Sequence, residues 1–369
     1  MQLKSKGFKI SNREVGQNSP AFLVAEISAN HRQQYEEAVR LVEAAAKAGA
    51  DAVKFQTYTP DTITIDSDKK WFFLGGEDTP SDWKRSNLYE LYKGAYTPWD
   101  WQPKLKELAE KLGLIFFSSP FDETAVDFLE KMEVPCYKVA SYEATHLPLL
   151  KKIAETGKPV IMSVGFASLE EIEEAVRTLR ENGAKEIAVL HCVTAYSDNP
   201  RPEDMHLANI KDIAERFGVV SGFSDNNAGI EAPVAAVIAG ASIIEKHFIL
   251  SRAKGGPDAR FSIEPEEFKK MAGLIRRGEN IYSKGEFEAA QGEVFYGPVS
   301  PAEENFRNLR RSIFAVADIK KGEVFTKENI RVIRPAFGLP PKFYDEVLGK
   351  RAVSDIERGT PFSRGMIAF

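Results

Sequence analysis

The chain has 369 residues, 43% of them hydrophobic and 28% charged, which suits a folded protein with a large buried core and excludes extended disorder. A formal net charge of -5 lacks the basic excess that tracks nucleic-acid phosphates, so no nucleic-acid partner is expected. No stretch approaches the ~18 apolar residues of a membrane span, and the polar start MQLKSKGFKISNREVG has no signal-type apolar segment, so the chain is expected to be cytoplasmic with no membrane partner.

Residues 8–16, FKISNREVG, read as a short hairpin closing the lower end of a larger domain. Eight apolar runs then alternate with amphipathic helix patterns: AFLVAEIS, AVKFQTY, IFFSSP, CYKVAS, VIMSVG, EIAVLHCV, VSGFSD and SIIEKHF. That rhythm predicts an α/β fold of the (β/α)8 TIM-barrel type, whose chemistry sits at the carboxyl ends of the strands. The polar strand ends are Glu26, Lys54 with Gln56, Ser118 with Ser119, Lys138 with Ser141, Ser163, Thr194, Ser224 with Asp225, and His247. Helices are expected over 34–49, 123–132, 148–157, 169–183, 202–218 and 232–240, with an eighth starting at EPEEFKKMAGLIRRG. The long connection from Thr59 to Thr97 carries Trp71, Phe72, Phe73, Trp83, Tyr89, Tyr92 and Tyr96, and reads equally as a pocket wall or a small core of its own. A barrel domain is thus expected over 1–285 and an aperiodic linker over 286–306. A small β-rich domain, sized to cover an active-site mouth, is expected over 307–369.

Three strand lysines, Lys54, Lys138 and Lys246, allow either a Schiff-base lysine or an anion site. Two lysines at different strand ends fit the anion site better, with Ser141, Ser163, Ser224 and Thr194 as hydroxyl partners for phosphate oxygens. Lys246 alternates with His247 and reads as an outward, salt-bridging residue. His247 is the best metal-ligand candidate, while Glu26, Glu143, Asp225 and Asp258 are strand-end carboxylates that serve equally as caps or ion-pair members. Cys136 and Cys192 fall in strands and read as buried thiols. No serine-nucleophile elbow, Walker loop or dinucleotide glycine motif is present.

The segments AEISANH, DAVKFQTY, FFSSPF, YKVASYE, SVGFASLEEIEEAV, HCVTAY, GFSD, EKHF and GGPDARFSIEP resemble, in order and spacing, the sialic acid synthase family. The tail from FRNLRRSIFAVADI onward resembles that family's C-terminal antifreeze-like (SAF) domain. YELYKGAYTPWDWQPKL and FFSSPFDETAVDFLEKMEVP look most like the pseudaminic acid synthases within it. The resemblance implies condensation of phosphoenolpyruvate with an N-acetylated hexose, a 2,4-diacetamido-2,4,6-trideoxyhexose by the subfamily match, to a nine-carbon 2-keto acid and phosphate. It implies that Lys54 and Lys138 bind phosphoenolpyruvate with Ser141, Ser163, Ser224 and Thr194. It further implies that Gln56, Glu143, Tyr196 and Asp258 hold the sugar, with Glu26 handling a proton near the aldehyde. It also implies a divalent manganese or magnesium ion, and a domain-swapped homodimer in which Arg334 reaches the partner's site. Alternatives are an N-acetylneuraminate or legionaminate synthase, a Schiff-base aldolase, or a non-catalytic relative.

Three departures from the family pattern stand out. Asn226 occupies the position of one of two metal-binding histidines, the other being His247, which weakens the expected metal site. HCVTAYSDNPRPEDMHL is longer than usual after Tyr196, and Ala336 replaces a glycine, which disfavours a positive φ there.

Overall fold

The structure is a computed structural model of the chain, and it describes residues 7–73 and 87–368. Trp83 of the aromatic connection lies outside the described residues. The hairpin strands β1 (Phe8–Ile10) and β2 (Arg13–Val15) precede eight parallel strands closed into a barrel. These are β3 (Phe22–Glu26), β4 (Ala52–Thr57), β5 (Ile115–Pro120), β6 (Tyr137–Val139), β7 (Val160–Ser163), β8 (Ile187–Val193), β9 (Val220–Asp225) and β10 (Ile243–His247). The closing register pairs His247 with Glu26 and Glu26 with Lys54, so three functional candidates stand side by side at one end.

Strand alternation sorts the barrel residues into two sets. Phe22, Val24, Ala52, Ile115, Phe117, Cys136, Ile161, Ala188, Leu190, Val220 and Ile243 fill the interior, and Phe8, Ile10 and Val15 of the hairpin join that cluster to plug the amino-terminal end. Leu23, Ala25, Val53, Phe55, Phe116, Val139, Met162, Val189 and Phe223 face outward against the helices. Extending the inward parity to the other end of each strand gives Glu26, Lys54, Gln56, Ser119, Lys138, Ser163, Cys192, Thr194, Ser224, Glu245 and His247. Gly222 shares that parity, and glycine is needed there because a side chain would collide with the Ile243 carbonyl at 2.5 Å.

The outer layer comprises α1 (Tyr35–Lys47), α4 (Gln102–Lys111), α5 (Glu123–Lys131), α6 (Leu147–Ala154), α7 (Leu169–Glu181), α8 (Ala208–Phe217), α9 (Glu231–Ile238) and α10 (Pro265–Arg277), one after each strand. The connection after β4 contains α2 (Pro60–Ile63), capped by Thr59, and α3 (Leu88–Ala95), capped by Asn87. The stretch expected to be an aperiodic linker is instead partly helical, with α11 (Lys284–Gln291) and α12 (Pro301–Phe306). Serines start both: Ser283 and Glu286 form a reciprocal capping box, and Ser300 accepts the Glu303 N–H.

Beyond α12, β11 (Ser312–Ala315) pairs with β12 (Ile330–Ile333), and β13 (Arg351–Ala352) with β14 (Ile367–Ala368). Ile313, Phe325, Ile330, Val347, Ile356 and Phe362 give this unit its own core. It sits over the carboxyl end of the barrel: the Arg334 N–H donates to the Ile63 carbonyl at 2.9 Å, and Phe314 packs on Phe72 at 5.3 Å. Arg310 makes a two-pronged ion pair with Glu171 of α7, at 2.7 and 3.0 Å. Ala336 lies outside the left-handed backbone region, so the missing glycine imposes no strain. Among the described residues no helix is long and apolar enough to cross a membrane.

Candidate active site

A cavity opens at the carboxyl end of the barrel, and the inward-facing polar residues converge on it. At its floor, the Lys54 Nζ lies 2.6 Å from Glu26 and 3.6 Å from Glu245, and donates to Ser119 Oγ at 3.3 Å. The Lys138 Nζ donates to Ser163 Oγ at 2.7 Å and lies 3.7 Å from the same Glu245 oxygen. Burial disfavours both ammonium charges, but at Lys54 the carboxylates of Glu245 and Glu26 more than restore it and the pKa rises. At Lys138 burial prevails, with Glu245 opposing it and Lys54 adding repulsion, so the pKa falls. The site therefore holds one firmly charged lysine and one that gains most from an arriving anion.

The hydroxyls divide by where their protons go. Ser119 and Ser163 accept hydrogen bonds from Lys54 and Lys138, so each keeps its own O–H for a ligand, whereas Ser141 accepts the Gly165 N–H and also hydrogen-bonds Cys192. Ser224 donates to Glu245 at 3.2 Å, and Thr194 donates to Glu303 at 3.0 Å.

Beside the lysines, Gln56 donates to Glu26 at 2.8 Å and to Ser28 at 2.9 Å, and Ser28 donates to Asp258 at 2.5 Å. Burial raises the Glu26 pKa, with Lys54 opposing and Glu245 reinforcing; burial likewise raises that of Asp258. Burial thus works against the charge on both carboxyls, which Lys54 offsets at Glu26 and the Ser28 hydroxyl and Ala29 N–H offset at Asp258. Ser28 and Tyr196, which line the same cavity, have φ of 48° and 51°, a left-handed backbone uncommon outside glycine and typical of functional sites.

The mouth is aromatic and capped by Arg334. Its guanidinium donates to the Tyr92 hydroxyl at 3.0 Å and to Glu143 at 2.7 Å, and lies 4.7 Å from the Tyr142 ring centroid. Glu143 is fully buried and also receives Arg311 at 3.3 Å; it stands behind Arg334, outside the cavity lining. Ile63, Leu91, Ala95 and Leu309 form an apolar wall here. The aromatic connection is thus both readings at once: Tyr58, Ile63, Leu88 and Tyr92 form a small core, and its inner surface walls the pocket.

His247 and Asn226 both line the cavity. Burial, with Lys54, Lys246 and Lys138 adding repulsion, keeps the His247 ring neutral, and its Nδ1 is buried with no hydrogen-bond partner among the described residues. The Asn226 amide N–H donates to Cys192 Sγ at 3.6 Å, which leaves its carbonyl oxygen available. Among the described residues no group of three or more His, Cys, Asp or Glu side chains is gathered to hold a metal. With the oxygens of Glu26, Gln56 and Asp258 on the same cavity, the donor set fits a hard divalent cation.

Other candidates lie elsewhere. Lys246 and Asp225 form a fully buried pair at 2.6 Å facing the helices, so Lys246 does point outward but never reaches solvent. Ser118 faces the same layer and shares a hydrogen bond with Thr57 at 2.7 Å. Cys136 is a buried free thiol in the barrel interior, and Cys192, also free and buried, lines the cavity itself. Glu245 and Glu303 were not among the sequence candidates. Glu245 had a readable signal, being two residues before His247 and so on the same face.

The NeuB family pattern matches residues 41–287, and the SAF domain pattern matches residues 310–368. The chain belongs to the NeuB family. It is 41% identical over 338 residues to the pseudaminic acid synthase of Campylobacter jejuni strain 81-176, covering 92% of this chain and 94% of that protein. It is 41% identical over 345 residues to the pseudaminic acid synthase of Helicobacter pylori, covering 93% and 97%. The crystal structure of the Bacillus subtilis spore coat polysaccharide biosynthesis protein SpsE superposes with a TM-score of 0.81 at 34% identity, covering 99% of both chains. In this NeuB-family protein the SAF domain supplies Arg334 to the mouth of its own chain's barrel.

Proposed function

We propose that this NeuB-family enzyme is a pseudaminic acid synthase, condensing phosphoenolpyruvate with a 2,4-diacetamido-2,4,6-trideoxyhexose to give the nine-carbon 2-keto acid and phosphate. The observation that carries the reading is the pairing of two buried lysines and three serines at the cavity floor with an arginine-capped aromatic mouth above. Lys54, Lys138, Ser119, Ser141 and Ser163 hold the phosphate and carboxylate of phosphoenolpyruvate. The hexose aldehyde must then meet C3 of phosphoenolpyruvate, so the rest of its chain runs toward the mouth. There Arg334 and the tyrosines meet its acetamido groups, and the wall of Ile63, Leu91, Ala95 and Leu309 suits a terminal methyl better than a hydroxymethyl. That wall favours the 6-deoxy hexose over the hexose of an N-acetylneuraminate synthase.

As the C–C bond forms, Glu26 handles a proton near the aldehyde oxygen, and Gln56 and Asp258 orient the neighbouring hydroxyls. A manganese or magnesium ion held by His247 and Asn226 would supply positive charge at the aldehyde oxygen. Water adds at C2, and the tetrahedral intermediate expels phosphate against the lysines and serines. Lys138, whose burial lowers its pKa, is the lysine suited to Schiff-base chemistry. Borohydride with pyruvate would trap that intermediate, and no trapping is expected.

We also infer, from the family resemblance, a homodimer in which the SAF domain makes these same contacts on its partner's barrel. Mixing Arg334→Ala with Lys54→Ala chains then restores some activity if the domains exchange, and none if each covers its own barrel. The function itself is tested by phosphate release with a panel of N-acetylated hexoses. Release that needs phosphoenolpyruvate and is fastest with the 2,4-diacetamido-2,4,6-trideoxyhexose is expected; a faster 6-hydroxylated hexose would reassign the substrate.

A further inference from the structure

Ser28 opens the turn that follows β3, lines the cavity, and holds a left-handed backbone at φ 48°. Glycine adopts that conformation freely, whereas a residue with a side chain adopts it at a cost and only where its surroundings over-determine it. Here the Asn30 amide, on the same turn, donates to the Phe248 carbonyl and to Ser262 Oγ, both at 2.9 Å, and Ser262 in turn donates to the Asp258 carbonyl at 2.6 Å. The turn is thus tied to the loop after β10 that carries Asp258, and the Ala29 N–H donates to the Asp258 carboxylate at 3.3 Å. The sequence alone does not single Ser28 out, because its φ and its partners come from the fold.

What the serine adds over glycine is one hydroxyl between two side chains of the cavity wall. It accepts from Gln56 at 2.9 Å and donates its single proton to one Asp258 oxygen at 2.5 Å. The Gln56 amide also donates to Glu26 at 2.8 Å, so both of its protons are committed and its oxygen is left to accept. The Asp258 oxygen that receives Ser28 also receives Ala29, while the other has no partner among the described residues. The hydrogen bonds therefore run one way, from Gln56 to Glu26 on one side and from Gln56 through Ser28 to Asp258 on the other. Two acceptors, the Gln56 amide oxygen and the second Asp258 oxygen, remain for a ligand.

We propose that Ser28 is a positioning residue for the hexose: it couples Gln56 to Asp258 and sets an oxygen of each as paired acceptors for the sugar's hydroxyl or acetamido N–H donors. Ser28 acts through those two side chains and needs no contact of its own with the sugar. The assignment rests on the synthase reading for the identity of the ligand. None of Lys54, Lys138, Ser119 and Ser163 hydrogen-bonds Ser28 among the described residues, so phosphoenolpyruvate binds independently of it.

Ser28→Gly tests this directly, because it removes the hydroxyl and relieves the backbone in one step. Ser28→Ala removes the hydroxyl but keeps the left-handed φ, so it is expected to melt below Ser28→Gly. Both are nonetheless expected to raise the KM for the 2,4-diacetamido-2,4,6-trideoxyhexose alike, about three- to tenfold. The phosphoenolpyruvate dissociation constant, measured by calorimetry, should stay within about twofold of wild type. An unchanged hexose KM in Ser28→Gly would overturn the proposal, as would a matching loss of phosphoenolpyruvate affinity or a hexose KM that tracks melting temperature across the two variants. If Ser28→Ala does not fold, Ser28→Gly decides alone. Crystal structures supply a readout without turnover: in Ser28→Gly the Asp258 carboxylate or the Gln56 amide is expected to turn from its wild-type direction. Both side chains unmoved, with a water in place of the hydroxyl, would refute the positioning role. A wild-type protein that releases no phosphate counts against the synthase reading, while the crystallographic comparison still decides whether Ser28 positions the pair.

Discussion

One Glu245 oxygen lies 3.6 Å from the Lys54 Nζ and 3.7 Å from the Lys138 Nζ, bridging the two cations at the floor of the cavity. The carboxylate keeps the lysines close together, and it also repels the anion they would bind. Removing its charge while keeping its shape should therefore favour a simple anion. Glu245→Gln is expected to bind inorganic phosphate more tightly by about 1 kcal/mol or more, roughly fivefold, with the gain shrinking as salt rises. Calorimetric titration at low and high ionic strength measures this, and equal affinities would mean that the lysines do not form the anion site.

The barrel was legible because its signals are local: each apolar run carries a strand, each helix its period, and parity decides which polar ends turn inward. That parity separates His247 from Lys246 and Ser119 from Ser118. Residues whose roles depend on distant partners were not legible. Glu303 meets Thr194 across more than a hundred residues, and Arg310 reaches Glu171 of α7, although the segment before them reads as a linker. The six-residue α12 is too short to show a period, so only its Ser-x-x-Glu start marks it. Glu143 was read as a sugar contact, but the sequence does not reveal that Arg311 and Arg334 converge on it from the SAF side.

Asn226 supplies a neutral oxygen where a second imidazole is the family pattern, which suits hard cations and disfavours borderline ones. Asn226→His is expected to tighten manganese binding roughly tenfold, by analogy with the ~10–100-fold effects of altering groups around a metal site. Electron paramagnetic resonance of the free manganese ion reads this directly, without turnover. Chelator should also slow the wild type; a rate indifferent to chelator would remove the metal from the mechanism.

The Glu171–Arg310 pair ties the start of α7 to the approach to the SAF domain, and Glu171 also accepts the Ser168 N–H at 2.9 Å. Burial works against the Glu171 charge, but Arg310 and the Ser168 N–H outweigh it and hold the pKa below the ordinary 4.5. A depressed carboxylate contributes its stabilisation fully above the ordinary value and loses it as pH falls through the depressed one. Hydrogen-exchange protection across 312–333, taken relative to the intrinsic rate at each pH, should therefore hold at 4.5 and above and fall only in stronger acid. Glu171→Gln should show the faster exchange already at neutral pH. Protection unmoved by both pH and the substitution would mean that the pair does not seat the domain.

His31 and His191 are buried with both ring nitrogens engaged in one sense. In His31, Nδ1 accepts the Gln33 N–H at 3.0 Å, so Nε2 is the donor to Thr97 at 2.9 Å. In His191, Nε2 faces the Met205 carbonyl at 2.7 Å and must donate, which leaves Nδ1 to accept from Asn209 at 3.3 Å. A second proton on either ring would turn an acceptor into a donor facing a donor, in a site where burial already resists charge, and both pKa values fall from 6.5 to about 4. Between those values the unfolded chain takes up a proton at each histidine and the native chain does not, so stability must decline as pH falls through that window. The decline should approach about 1.4 kcal/mol per pH unit for each histidine. Urea unfolding followed from neutral pH to 4 gives the slope, and His191→Gln should flatten it by close to one proton. A slope that the substitution leaves unchanged would mean that His191 titrates alike in the native and unfolded chains.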